Sequence, residues 1–452
     1  MKTAQFLDNR DRVLLLGVSV RKPSRLHPGR DHADGSESLI ELEELARSAG
    51  ATIAGTMLQV RDAMDPATLV GRGKLEEVKR EAHTRRAPLV IVDHDLSPVQ
   101  LRNMEQGTDC RVIDRTQLIL DIFACHARTR EGQLQVELAQ LNYLLPRLTG
   151  RGTELSRTGG GIGTRGPGEQ KLESDRRRIR ERVRKIQEAI EKVRRQRSTR
   201  RRARQDVPLG TVALVGYTNA GKSTLFNALT RAEVVTSPKM FATLDPTIRG
   251  VRLPSRRRVL LSDTVGFVRG LPHSLIAAFH ATLEEVQEAA LILHVTDMSH
   301  SNHEEQDMEV EKILSELGVH DRPRLRVLNK IDRMPHAELE RVMHANGDGA
   351  NGANGVGSNG GQAGRAFVSA LTMQGLPELL AQIDAAMPVD PIVRTRLRVP
   401  LANGREIAMI HSCGRVLNSQ VQEGHVQFDA ELPETLAGRL HEFSVDPSDS
   451  HT

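Results

Sequence analysis

The sequence predicts a multidomain α/β protein, and three observations predict it. Residues 1–125 alternate short apolar runs with helical patterns, as a parallel sheet covered by helices requires. Residues 126–206 carry two apolar seams of equal length on either side of a glycine-rich stretch, which predicts an antiparallel helical hairpin. Residues 207–388 again alternate strands with helices, and 389–452 reads as a small α+β domain.

In the first domain Val13–Val18, Thr52–Val60, Leu89–Asp93 and Arg111–Asp114 read as strands, with Ser36–Ala49 and Leu75–His83 as helices between them. The hairpin follows from spacing. Leu134, Leu138, Leu141, Leu145 and Leu148 step by four and three, and so do Ile179, Val183, Ile186, Ile190 and Val193. Each set is an a/d seam of the coiled-coil type, and one chain reversal buries the two against each other. At ~1.5 Å per residue, Glu173–Arg204 extends about 45 Å. In the last domain Arg396–Val399, Glu406–His411 and His425–Phe428 read as strands, before a helix near Pro433–Phe443.

Composition narrows the functional classes. Hydrophobic content of 38% supports packed cores, but aromatics are only 2%, with no Trp, which argues against a base-stacking platform. No apolar run approaches the ~18 residues of a membrane span, and MKTAQFLDNRDR at the N-terminus has no apolar signal core. The expectation is a cytoplasmic protein without stable membrane insertion, peripheral association being the alternative. Cys110, Cys125 and Cys413 lack paired ligand spacing and read as reduced, structural thiols.

The net charge of +5 is unevenly spread. Residues 176–204 hold fifteen Arg/Lys against Glu181, Glu188 and Glu191, a net +12, so the remainder of the chain is −7. Such a block points to a polyanionic partner. Beside it, the hairpin tip (149–170) contains RTGGGIGTRGPGE at 157–169, flanked by Arg147 and Arg151. That stretch is too glycine-rich to pack alone. A plain surface loop is one reading. The reading favoured by the basic neighbouring helix is a cationic, backbone-rich tip that enters RNA. Its contacts are then Arg151, Arg157, Gly159, Gly160, Gly161 and Arg165, with Arg176, Arg177 and Arg178 on the helix.

The third domain carries the chemistry. The buried-strand pattern Thr211–Val215 leads into Gly216, Tyr217, Thr218, Asn219, Ala220, Gly221, Lys222, Ser223 and Thr224, then a helical run. This is G-x-x-x-x-G-K-S in strand–loop–helix context. Glycines let backbone N–H groups approach phosphates at a helix N-terminus. Lys222 then reaches the β- and γ-phosphates and the Ser223 hydroxyl binds Mg²⁺. A second strand ends in Asp263, Thr264, Val265 and Gly266, which is D-x-x-G. Asp263 serves the metal through water and the Gly266 N–H serves the γ-phosphate. A third strand ends in Asn329, Lys330, Ile331 and Asp332, or N-K-x-D. The Asp332 carboxylate accepts from guanine N1–H and the exocyclic amine, donors that adenine lacks at those positions. Ser369 and Ala370 follow a further strand as the S-A element beside the base. Taken in order, these motifs define a Ras-like P-loop GTPase domain with GTP or GDP as ligand. The glycine- and asparagine-rich run at 347–364 reads as a disordered insertion.

The P-loop GYTNAGKST, Phe241-Ala-Thr-Leu-Asp-Pro-Thr247, DTVGFVRGLPHSLIAAFHATLEEV at 263–286, GRGK at 71–74 and the glycine-rich tip together resemble GTPases of the HflX family, from roughly residue 10 to 445. The resemblance implies that Phe241, Ala242, Thr243, Leu244 and Asp245 belong to the GTP-binding set, with Thr243 as the switch-I threonine on Mg²⁺. It also implies binding to the large (50S) ribosomal subunit and its rRNA, splitting of stalled or idle 70S ribosomes, and hydrolysis stimulated by ribosomes. Off the ribosome a monomer is expected. Lys222, Thr243 and Gly266 are the catalytic candidates. Phe267 stands where Ras-like enzymes place a water-orienting Gln, so slow hydrolysis by the isolated protein is expected.

Two rival functions accompany this reading: a GTP-dependent regulator of a membrane protease or other protein, and an ATP-dependent RNA remodeller using the first domain. Gly71-Arg72-Gly73-Lys74 reads either as a second phosphate cradle or as a turn before a helix. His94, His294 and His300–His303 read as strand-end and turn residues with no metal set around them.

Overall fold

The computed structural model describes residues 12–21, 30–148, 167–205, 210–230, 240–241, 243–269, 280–319, 321–345, 362–387 and 391–445. The chain forms two compact units. The first comprises 1–193 with 235–245 and 268–282; the second comprises 194–234, 246–267 and 283–452.

In the first unit β1 (Arg12–Val20), β2 (Thr52–Arg61), β3 (Leu89–Val92) and β4 (Arg111–Asp114) form a parallel sheet in the order β2-β1-β3-β4. The four expected strands are present. Helix α1 (Arg30–Ser48) covers the expected helix to Ser48, one residue short of Ala49, and α2 (Arg72–Thr84) covers Leu75–His83. Two further helices were not read from the sequence. In α3 (Pro98–Thr108), Ser97 accepts from Gln100 N and the Gln100 side chain returns the bond to Ser97 N. That is a full capping box. Helix α4 (Arg115–His126) is buried on every side from Arg115 to Phe123. Burial all round erases the amphipathic period that betrays a helix.

Two charged groups at the start of α4 are paired within the unit. Asp114 caps it, accepting from Gln117 N at 2.8 Å, and also receives Leu96 N and Arg147. Burial raises the Asp114 pKa, against the pull of those donors. Arg115 spans Asp93 at 2.7 Å and Glu41 at 2.8 Å.

The hairpin is α5 (Arg130–Arg147) with α6 (Pro167–Gln205). Leu134, Ile186 and Ile190 are buried together, with Leu138, Leu141 and Ala189 against them. Arg182 holds both carboxylate oxygens of Glu137, at 2.7 and 2.9 Å. Moving forward on α5 thus means moving backward on α6, as an antiparallel pair requires. Helix α6 starts before the expected Glu173 and spans 39 residues, roughly 58 Å. Residues 149–166 of the tip lie outside the described residues, as do Arg151, Arg157, Gly159, Gly160, Gly161 and Arg165.

In the second unit β5 (Thr211–Gly216), β6 (Thr247–Arg252), β7 (Arg258–Asp263), β8 (Leu291–Asp297), β9 (Arg324–Asn329) and β10 (Gln362–Phe367) form a sheet in the order β10-β9-β8-β5-β7-β6. All pairs are parallel except β6 with β7. Strand β6 was not read from the sequence. It is a half-exposed edge strand carrying Gly250 and three polar residues, so it lacks an apolar period. The expected 347–364 insertion needs correcting at its end, because Gln362–Gly364 begin β10. Residues 346–361 lie outside the described residues.

The last sheet of this unit is antiparallel, in the order β11-β13-β12, from β11 (Ile392–Pro400), β12 (Arg415–Gln422) and β13 (His425–Pro433). The expected strand Glu406–His411 is instead part of helix Gly404–Cys413. Ile407 and Ile410 fall one turn apart and face the tail core beside Phe428 and Leu432. The strand that was missed, β12, is exposed along nearly its whole length. The expected C-terminal helix shortens to Glu434–Arg439, since β13 runs through Pro433.

Candidate nucleotide site

Strand β5 is the site's origin. Its chain neighbours in the sheet lie to both sides, β7 on one and β8 on the other. The strand order therefore reverses at β5, where open α/β sheets bind ligands beyond their carboxyl ends. Each motif sits at such an end: Gly216 closes β5, Asp263 closes β7, Asn329 closes β9 and Ser369 follows β10.

The P-loop backbone takes the conformations its glycines allow. Gly216 has φ +154° and lies so close to β8 that a Cβ there would be 2.2 Å from the Val295 carbonyl oxygen. Gly221 has φ +92°, and a Cβ would meet the Asn329 amide at 2.3 Å. Asn219 occupies the left-handed region that asparagine tolerates. Helix α7 (Lys222–Thr230) then begins, with Leu225 N on the Gly221 carbonyl at 2.9 Å and Leu225 and Phe226 in the core.

Lys222 is buried and donates to the carbonyls of Gly216 and Tyr217, at 3.1 and 2.7 Å. Burial lowers its pKa to about 8; Asp263 pulls upward and Lys330 adds to the fall. The Ser223 hydroxyl donates to Asp263 Oδ2 at 2.7 Å. P-loop and D-x-x-G thereby present two hard oxygen donors side by side, the ligand type that suits Mg²⁺. Among the described residues no three His, Cys, Asp or Glu side chains gather into a metal cage.

D-x-x-G is sewn to the P-loop by backbone. Thr218 N donates to the Phe267 carbonyl at 2.7 Å and Phe267 N donates to the Gly216 carbonyl at 3.1 Å. The Thr264 hydroxyl reaches the Leu214 carbonyl, and Val265 is buried. A Cβ on Gly266 would stand 2.9 Å from both Lys222 Nζ and Thr218 Cα. Phe267 itself is 2% exposed. Its ring is buried and has no polar group with which to orient a water molecule.

At the base end, the Asn329 amide donates to the Ala220 carbonyl at 2.8 Å and its oxygen accepts from Ala370 N at 3.0 Å. One side chain thus connects P-loop, N-K-x-D and S-A. Asp332 is exposed, with Oδ1 receiving the Ser369 hydroxyl at 2.6 Å. Ile331 N reaches the Val368 carbonyl. Lys330 has φ +65°, and its ammonium lies 2.6 Å from Asp297. Asp297 was missed in the sequence. Its one signal was its place at the carboxyl end of β8.

The structure thus unites Gly216–Thr224, Asp263–Phe267, Asn329–Asp332 and Ser369–Ala370 in the second unit. Phe241, Thr243, Leu244 and Asp245 belong to the first unit, and Ala242 lies outside the described residues. Met240, Phe241 and Leu244 are 4, 3 and 5% exposed. Exposing all three costs on the order of 5 kcal/mol. Arg176 is half-buried, while Arg177 and Arg178 are exposed on α6.

Three weaker signals also resolve. Gly71 is the N-cap of α2, and Lys74 pairs with Glu77 at 3.1 Å, so GRGK is a helix start whose lysine is engaged. His294, expected at a strand end, is a buried residue inside β8, 3.1 Å from Asp307 and 3.5 Å from Glu311. Burial lowers its pKa despite the Glu311 carboxylate. His94 is half-buried rather than a free loop residue; burial lowers its pKa against the pull of Asp93, and Arg115 adds to the fall.

A phosphate cradle at the switch point, a carboxylate–hydroxyl pair for a hard cation, and N-K-x-D tied to S-A define a guanine-nucleotide-binding P-loop GTPase. Family models agree. Residues 36–124 match the GTP-binding GTPase N-terminal model, 126–204 the GTP-binding GTPase middle region, and 211–330 the 50S ribosome-binding GTPase model. The GTPase HflX of Caldanaerobacter subterraneus subsp. tengcongensis is 44% identical over 91% of this chain and 91% of its own length. That of Magnetococcus marinus is 44% identical over 95% and 94%, and that of Escherichia coli K12 42% identical over 88% and 90%. The chain belongs to the HflX family of GTPases. A solved structure titled "crystal structure of SsGBP and GDP complex" is similar at 23% identity and TM-score 0.47, over 83% of this chain and 98% of that one.

Proposed function

We propose that this GTPase is a switch that binds the large ribosomal subunit, splits stalled or idle ribosomes, and hydrolyses GTP fully only when the ribosome completes its site. The observation that carries this reading is Phe267. D-x-x-G is followed by a buried ring where a water-orienting side chain is needed. Lys222, Gly221 and the start of α7 hold and neutralise the phosphates, and Gly266 N–H is aimed at the γ-phosphate. Ser223 and, by the family resemblance, Thr243 would hold Mg²⁺, with Asp263 through water, and the cation would supply charge neutralisation. The Phe267 ring has no group to position the attacking water, and an outside partner is proposed to supply that step.

The ribosomal partner is supported by two findings. The model matching 211–330 is described as a 50S ribosome-binding GTPase, and α6 carries the block of arginines, of which Arg177 and Arg178 are exposed. Arg176–Arg178 and the tip residues Arg151, Arg157, Gly159–Gly161 and Arg165 are proposed to meet rRNA. No helix of the described residues is long and apolar enough to cross a membrane, and the place of action is proposed to be the cytoplasm. Sedimentation with purified ribosomes in GDP, GTP and a non-hydrolysable analogue tests the reading. Large-subunit binding that rises with the analogue is expected; binding indifferent to nucleotide would overturn it.

A further inference from the structure

Strand β8 lies between β5, which delivers the P-loop, and the strand that delivers N-K-x-D, β9. Its last residue, Asp297, stands beside Asn329 in the parallel register of β8 and β9. The sheet therefore puts one carboxylate at its carboxyl edge between the P-loop and N-K-x-D.

Asp297 is buried, and donors hold both of its oxygens. Oδ1 accepts Ser299 N at 3.0 Å and the Ser299 hydroxyl at 2.6 Å. Oδ2 accepts the Lys330 ammonium at 2.6 Å. Met298 N donates to the Asn329 carbonyl at 3.0 Å, so the turn that carries Ser299 is itself fastened to N-K-x-D.

Lys330 is constrained in two further ways. Its backbone is left-handed, φ +65°, a conformation that a residue other than glycine keeps only where its surroundings impose it. Its stem runs beside the P-loop, since a Cβ on Gly221 would be 3.9 Å from Lys330 Cε. Lys330 also adds to the fall in the Lys222 pKa, which places two ammonium groups around one ligand site. A long side chain there needs a partner that fixes its tip and offsets its charge, because ordering it only on binding would subtract from affinity.

We propose that Asp297 is a positioning residue for the guanine nucleotide: it holds Lys330 beside the P-loop, in place for GDP or GTP before either arrives. The proposal rests on Lys330 belonging to the nucleotide site. An extra carboxylate beside an anionic ligand is unfavourable in itself, because like charges repel. Asp297 therefore helps binding only through Lys330. An ion pair that merely steadied the fold would lower the melting temperature and leave the two residues' effects on affinity independent.

The test uses the full chain with Asp297→Asn, Ser299→Ala and Lys330→Met, singly and with Lys330→Met combined with each of the other two. GDP affinity and the rate of GDP dissociation are measured with a fluorescent analogue, and melting of the nucleotide-free protein reports folding. Asp297→Asn is expected to weaken GDP binding about tenfold, mostly through faster dissociation. Ser299→Ala, which keeps the charge and removes one support of the carboxylate, is expected to weaken it about two- to threefold. Added to Lys330→Met, neither change should alter affinity by more than about twofold. GDP affinity in Asp297→Asn within about twofold of the unaltered protein, or above it, with Lys330→Met impaired, overturns the proposal. So does a loss of about tenfold that persists on the Lys330→Met background, since Asp297 would then act without the lysine. If Asp297→Asn fails to fold, Ser299→Ala reads the same coupling, and an affinity loss equally large with and without Lys330 overturns the proposal. Unimpaired GDP binding in Lys330→Met overturns the place of Lys330 in the site, on which the proposal rests.

Discussion

Lys222 illustrates how burial writes a pH dependence into a binding site. Its pKa is lowered to about 8 by burial, whereas bound phosphates favour the ammonium form. Nucleotide affinity is therefore level below pH 8 and falls as pH rises above it, by about tenfold per unit until the complex itself deprotonates. Fluorescent GDP titrations between pH 7 and 9.5 measure this, and calorimetry at pH 8.5 should register proton uptake on binding. A flat profile would contradict the assignment of Lys222 to the phosphates. Asp332 makes a second prediction at this scale. Its acceptor pair matches guanine N1–H and the amine, so Asp332→Asn should weaken GTP binding by about 10²-fold or more. The same change should improve binding of a nucleotide bearing a carbonyl at C2, measured by competition against labelled GDP. These residues were legible because each motif requires fixed residue types at a strand end. Asp297 was not, because a lone acid after a strand resembles many others until Lys330 is seen against it.

At the scale of elements, periodicity read the hairpin and failed at α4 and β12. The heptad seams of α5 and α6 meet as their spacing implies, through Leu134, Ile186 and Ile190. Helix α4 had no period because every face is covered. Strand β12 had none because almost every residue is exposed. Leu134→Ala should cost ~2–4 kcal/mol locally, seen as faster proteolysis of the hairpin with GDP binding unchanged. The basic face of α6 predicts a salt effect. Replacing Arg176, Arg177 and Arg178 by Ala should lower the slope of log affinity for rRNA against log salt by about 2–3, one for each phosphate no longer neutralised. An unaltered slope would show that these arginines face solvent in the complex.

At the scale of the molecule, sequence order and spatial grouping diverge. Residues 235–245 and 268–282 fall on either side of β6 and β7 in the chain, yet both belong to the first unit. No motif announces that grouping, since it arises from contacts such as Asp245 with Thr129, more than a hundred residues apart. Hydrolysis by the isolated protein should be slow and should rise at least about tenfold with large subunits, because Phe267 leaves the water unplaced. Equal turnover with and without subunits would show that the site is complete alone.

Asn329 carries a consequence for how the nucleotide leaves. Its rigid amide plane is held at one edge by Ala220 of the P-loop and at the other by Ala370 beside the base. Grip on the two ends of GDP is thereby cooperative. Dissociation is expected as a single event, without a half-released state hanging by base or phosphate. A factor that accelerates exchange needs a handle on only one of those loops, since prying either loosens the other.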